Sequence, residues 1–107
     1  MLWMNIVPHI AKNARFTIGT RIENKFLDLL EQTYVAYFSA IEGKIEKVTG
    51  CIQILDLLKY ILSVAWEGKV ISSGQYEEIS KKLDEIGRMF GGWLNSLKNQ
   101  DKKNRTV

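Results

Sequence analysis

The chain of 107 residues holds a single proline, a single cysteine and a single histidine. One proline argues against a loop-rich or all-β chain, whose turns and sheet edges use that residue repeatedly. Cys51 alone cannot close an internal disulfide, which excludes the oxidised scaffold of a small secreted protein. His9 alone leaves little material for a metal centre or for imidazole acid–base work. No Cys/His/Asp cluster has ligand spacing, and no glycine-rich phosphate loop follows a strand. Cys51 has no base beside it that would make it a nucleophile. The most apolar run, residues 51–66, is interrupted by Asp56 and Lys59 and is too short to span a bilayer comfortably. The head, MLWMNIVPHIAK, lacks the basic start and small-residue cleavage site of a leader. Together these absences predict a cytoplasmic, non-catalytic chain with no metal, no cofactor and no membrane partner.

What the sequence does have is a hydrophobic fraction of 46% and a charged fraction of 25%, enough for one real core and ordinary for a globular chain. Three long helical patterns are visible. In the first, about Thr17 to Glu42, Ile18, Ile22, Phe26, Leu29, Leu30, Tyr37 and Ile41 recur at steps of three and four. Leu27, Tyr34 and Phe38 widen that row to an apolar arc of roughly 200°, about twice an ordinary stripe. Arg21, Lys25, Asp28 and Gln32 form the opposite, wet face, and Gly43 is the expected stop. The second pattern, about Lys44 to Trp66, has apolar residues over half its circumference, with Gln53, Asp56, Lys59, Tyr60 and Ser63 on the polar side. Glu67-Gly68-Lys69 reads as a tight connection.

The third pattern has the best start signal. Ser72 and Gln75 have the spacing of a reciprocal capping box. Tyr76, Ile79, Leu83, Ile86, Phe90, Trp93 and Leu97 then alternate in steps of three and four, a heptad stripe suited to packing along neighbouring helices. Glu77–Lys81, Glu78–Lys82 and Asp84–Arg88 are helix-surface pairs. Leu2 to Ala14 reads as a short, proline-interrupted helix. The prediction is all-α: an antiparallel up-and-down four-helix bundle over residues 1–97 with a shortened first helix, followed by a basic flexible tail over 98–107.

Three glycines, Gly87, Gly91 and Gly92, sit inside the third helix, where each costs about 1 kcal/mol relative to alanine. Ser80, Gly87 and Gly91 share one flank of the heptad stripe, which predicts close approach of another helix, within the chain or from another subunit. On that reading a leucine at Gly91 overpacks the contact and costs about 1–3 kcal/mol. The wide apolar arcs exceed what a small four-helix monomer can bury, which predicts a homo-oligomer.

The net charge is +3. The body is near neutral. The last ten residues, KNQDKKNRTV, hold four basic groups and one acidic group. Lys98, Lys102, Lys103 and Arg105, with Arg21 and Lys25 one turn apart on the first long helix, are the candidate phosphate-seeking residues.

Two segments carry a resemblance. Residues 15–31, RFTIGTRIENKFLDLLE, and 71–96, ISSGQYEEISKKLDEIGRMFGGWLNS, resemble the accessory variability determinant (Avd-like) four-helix-bundle proteins of diversity-generating retroelements. Proteins encoded in 23S rRNA intervening sequences share that fold. The resemblance implies a non-catalytic accessory factor that assembles into a homopentamer. It also implies partnership with a reverse transcriptase and binding of nucleic acid, template RNA or cDNA, with weak sequence selectivity. A pentamer carries a formal +15, five times the chain's +3. The alternative is a purely structural helical oligomer, of the intervening-sequence type, without a nucleic-acid role.

Overall fold

The computed structural model describes residues 15–106, with side-chain surroundings given for residues 17–103. A five-residue π-helical turn, Arg15–Gly19, runs directly into α1, Thr20–Tyr37. α2 spans Ile41–Glu67 and α3 spans Ser73–Thr106. No strand occurs among the described residues. They form three long helices. The fourth helix of the expected bundle, Leu2 to Ala14, lies outside the described residues, as does His9.

α2 is the central element. α1 packs on it and α3 packs on it, while α1 and α3 touch each other little. Cross-helix contacts fix the register. The amide Nε2 of Gln32 on α1 donates to the carbonyl of Lys47 on α2 at 3.1 Å. Lys59 of α2 meets Asp84 of α3 at 3.1 Å, and Trp66 stacks on Tyr76, 4.8 Å between ring centres. Residue numbers fall on α2 as they rise on α3, and α2 folds back on α1 across the three-residue break to bring Lys47 to Gln32, so both pairs are antiparallel. The molecule is accordingly a rod of 57 × 21 × 19 Å.

The core is one cluster. Ile22, Leu29 and Ala36 line α1. Val48, Cys51, Leu55, Leu58, Leu62 and Ala65 line α2, and Ile79, Leu83, Phe90 and Leu97 line α3. The α3 set is four of the seven members of the predicted heptad stripe. Tyr76, Ile86 and Trp93 pack partly buried against it, as does Phe26 of α1. α2 is long and apolar enough by length and composition to cross a bilayer, contrary to the shorter run read from the sequence. Core helices pass the same test, and here six of its residues are buried against or between its two neighbours.

Helix boundaries depart from the sequence reading at one place. The first helix ends at Tyr37, and α2 begins at Ile41, so Gly43 lies inside a helix and stops nothing. The break falls at Phe38–Ala40. Phe38 is the C-cap, the Ser39 hydroxyl bonds back to the Val35 carbonyl, and Ala40 turns extended at φ −62°, ψ 154°. A serine that bonds back to its own helix competes with further backbone pairing. No proline or glycine marks this turn, which is why pattern alone ran through it.

The α2–α3 connection is where expected. Val70 N–H donates to the Ala65 carbonyl at 2.8 Å and Lys69 N–H to Trp66 at 3.0 Å, closing the helix end in the manner of a Schellman turn. The left-handed residue is Lys69, at φ 60°, rather than Gly68. A side chain in that region costs about 1–2 kcal/mol. Lys69→Gly is therefore expected to stabilise the protein by about 1 kcal/mol, read as a higher midpoint in urea. The capping box forms as predicted: Ser72 N–H donates to Gln75 Oε1 at 2.9 Å, and Gln75 N–H donates to Ser72 Oγ at 3.1 Å. Ser72→Ala removes one of these bonds and should cost about 1 kcal/mol in the same assay.

Candidate nucleic-acid interface

Of the candidate cations on α1, Arg21 is exposed, and half-buried Lys25 lies 3.4 Å from the Asp28 carboxylate, one turn along. Gln32, expected on this wet face, instead turns toward α2 and makes the bond to Lys47 that fixes the register. That bond crosses Gly50, where an added Cβ would lie 3.1 Å from Gln32 Nε2. Gly50, next to the buried Cys51, thus leaves room for the Gln32 side chain to cross to α2. Sequence reasoning missed it because one glycine in an apolar run has no spacing signature.

The expected approach at the α3 glycines is not made among the described residues. A Cβ at Gly87 would meet the Leu55 and Lys59 side chains at 3.4 and 3.6 Å, ordinary contact, and a Cβ at Gly91 would meet nothing within 4 Å. Ser80 is half-buried on the same flank. The overpacking cost expected for Gly91→Leu therefore has no source among the described residues. With open space and an exposed helical site, Gly91→Ala is expected to raise stability by about 0.5–1 kcal/mol through backbone entropy and propensity. A loss instead, measured on the assembled protein, would place a subunit contact there.

The basic C-terminal segment was expected to be a flexible coil, but the structure carries α3 without a break through Thr106. Cations in the last turns of a helix oppose the partial negative charge of its unsatisfied carbonyls. Lys98, Lys102 and Lys103 are exposed on this extension, and the side chain of Arg105 lies outside the described surroundings. Leu97 is the last buried residue before them.

The two basic groups do not form one patch. By the antiparallel register, Arg21 is level with the Asp84–Glu85 region of α3, whereas Lys98 and Lys102 lie further toward its C-terminus. At 1.5 Å per residue the separation along the bundle is on the order of 25 Å. Each chain thus presents two basic sites set apart along the rod. Asp84 also leaves its expected partner Arg88 for Lys59 on α2, so that pair ties two helices together. Glu77–Lys81 forms as expected at 3.5 Å.

Nothing in the described residues resembles a reaction centre. Cys51 is fully buried, and burial pushes its thiol above the ordinary range, against a smaller opposing effect of the Thr33 hydroxyl 3.8 Å away. A thiol held protonated is a small hydrophobe rather than a nucleophile. No group of three or more His, Cys, Asp or Glu side chains among the described residues could hold a metal ion. A solvent-open cleft of about 740 Å³ sits at the α2–α3 turn, lined by Trp66, Lys69, Ser72 and Gln75 among others. Its polar groups serve the turn itself: Trp66 Nε1 donates to Ser73 Oγ at 3.0 Å, and Ser72 and Gln75 cap α3.

The helical architecture, the RFTIG segment in its π turn and the capped, glycine-bearing α3 all fall within one family match. The family model described as bAvd-like matches residues 2–97. The chain belongs to the bAvd-like family. No curated protein and no solved structure matches the chain. Membership suggests an accessory protein of diversity-generating retroelements, in a family whose members are accessory and non-catalytic. The match ends at Leu97, so the basic extension of α3 lies beyond the matched residues.

Proposed function

We propose that this bAvd-like protein is the non-catalytic accessory factor of a diversity-generating retroelement. It acts as a homopentamer that binds the element's reverse transcriptase and its nucleic acid, template RNA or cDNA. The observation that carries the reading is the family match over residues 2–97. The exposed cations of the α3 extension and Arg21 support the nucleic-acid part, because clustered cations bind phosphates by releasing counterions. A chain with a near-neutral body and two separated basic sites gains most from assembly, which repeats each site around a ring. Such contacts read the backbone and not the bases, so selectivity is weak.

The test has two arms. Light scattering of the purified protein reads the oligomer, and a stable monomer at micromolar concentration removes the pentamer. Anisotropy titration with labelled RNA and DNA at low salt, followed by pull-down of the reverse transcriptase encoded beside the gene, reads the partners. An oligomer that binds neither nucleic acid nor the polymerase would instead support the purely structural alternative.

A further inference from the structure

Two apolar stripes stay open on the described surface. Along α1, at its C-cap and on the first residue of α2, Leu27, Leu30, Tyr34, Tyr37, Phe38 and Ile41 are all more than half exposed, at 54–67%. Their steps of three and four make a helix-packing seam. The seam lies on the side of α1 away from Gln32 and Lys25, hence away from α2. On α2, Leu57, Tyr60 and Val64 are exposed at 44%, 67% and 41%, with half-buried Ile61 beside them. Leu57, Tyr60 and Val64 occupy the side of α2 opposite its buried row, and Ile61, which packs partly against the core, borders them.

Size and charge both bear on the occupant. Large side chains carry about 150–250 Å² each, so the α1 seam leaves on the order of 700 Å² uncovered. That exceeds the few hundred Å² usual on a monomer and approaches the ~800 Å² per partner of a stable interface. Along α1 the charges bordering the seam are Glu23 and Glu31, both acidic, and the cation beside it, Lys44, lies over the Tyr37 ring at its far end, 5.8 Å from the ring centre. A phosphate backbone is therefore a poor occupant, and an apolar helix face is a good one. The α2 stripe is such a face.

Symmetry then constrains the pairing. Two different patches on different helices make a head-to-tail interface, which can close into a ring, whereas one self-complementary patch stops at a dimer. We infer that copies of this chain associate head to tail, with the α1 seam of one copy seated on the α2 stripe of the next. The inference rests on the oligomer proposed above and assigns the surfaces that build it.

Mixing complementary variants tests it. Leu30→Glu with Tyr34→Glu blocks the seam, and Leu57→Glu with Val64→Glu blocks the stripe. All four positions are more than 40% exposed, and circular dichroism checks that each variant keeps its helix content. Each variant alone should fall to the chain mass in light scattering. Their equimolar mixture should give one species of twice that mass, because each pair retains a single seam-to-stripe contact. Absence of the mixed dimer, or variants that still assemble like wild type, overturns the head-to-tail assignment while leaving a wild-type oligomer intact. A wild-type monomer instead overturns the oligomer itself. Should a glutamate variant lose helix content, cysteine pairing keeps the question open to decision. Tyr34→Cys mixed in turn with Leu57→Cys, Tyr60→Cys and Val64→Cys should give a disulfide-linked dimer with at least one partner. Cross-linking of Tyr34→Cys only to itself would show a self-complementary seam and refute the inference.

Discussion

Truncation after Leu97, removing residues 98–107, is expected to flatten the salt dependence of nucleic-acid binding more than any other change to this protein. The deletion takes away four basic groups and one acidic group per chain. Each neutralised phosphate contributes about 0.7–0.9 to the slope of log K against log salt, so losing a net three should lower the slope by about 2–3 for each engaged chain. Between 50 and 200 mM salt, the fall in affinity then shrinks by about 20–40-fold per engaged chain. Leu97 is the last buried residue among the described surroundings of α3, so the described core stays whole. Arg21→Glu with Lys25→Glu should weaken binding further and nearly additively, because the α1 site lies some 25 Å along the rod from the extension. Anisotropy titrations over a salt series decide the matter. An unchanged slope in the truncated protein assigns any binding to another surface.

Phe90→Ala should cost about 3–5 kcal/mol, a large share of the 5–15 kcal/mol that holds a domain of this size together. Phe90 is 7% exposed and belongs to the core cluster that includes Leu83, Leu97 and the buried row of α2. Its removal deletes an aromatic ring from a packed interface and leaves a cavity that helices pinned by Lys59–Asp84 and Trp66–Tyr76 cannot easily close. The neighbour Met89, 73% exposed, supplies the control: Met89→Ala should stay within about 0.5 kcal/mol in the single chain. Urea unfolding measures both, and a Phe90→Ala loss below about 1 kcal/mol would contradict burial of the heptad row.

Where the burial pattern was legible, one physical rule carried it. α3 alternates apolar residues in steps of three and four against a charged outer face, and that row is the one that faces α2. The capping box was readable because its two bonds are local: Ser72 and Gln75 satisfy each other's backbone groups over three residues. α1 was readable only in part. Its 200° arc was correctly wide, but periodicity does not say which half meets α2, and the seam through Leu27, Leu30 and Tyr34 proved to be the open half. Gln32 misled for the same reason, since a polar side chain at the edge of an arc can face water or reach a neighbouring carbonyl.

The sequence by itself determined the class of this protein: helices set by period, a capped start for α3, a basic end, and the paired segments that mark the family. Those signals are local or compositional, and a chain carries them whatever its neighbours do. Only the tertiary structure decided the break at Phe38–Ala40, the crossing of Gln32 at Gly50, the open space at Gly91 and the separation of the two basic sites along the rod. The last three depend on how the antiparallel helices sit against one another, and the break on a serine back-bond that no residue pattern marks. Contacts such as Gln32 to Lys47 and Lys59 to Asp84 fix the helix register between residues 15 and 25 positions apart, beyond the reach of any local pattern.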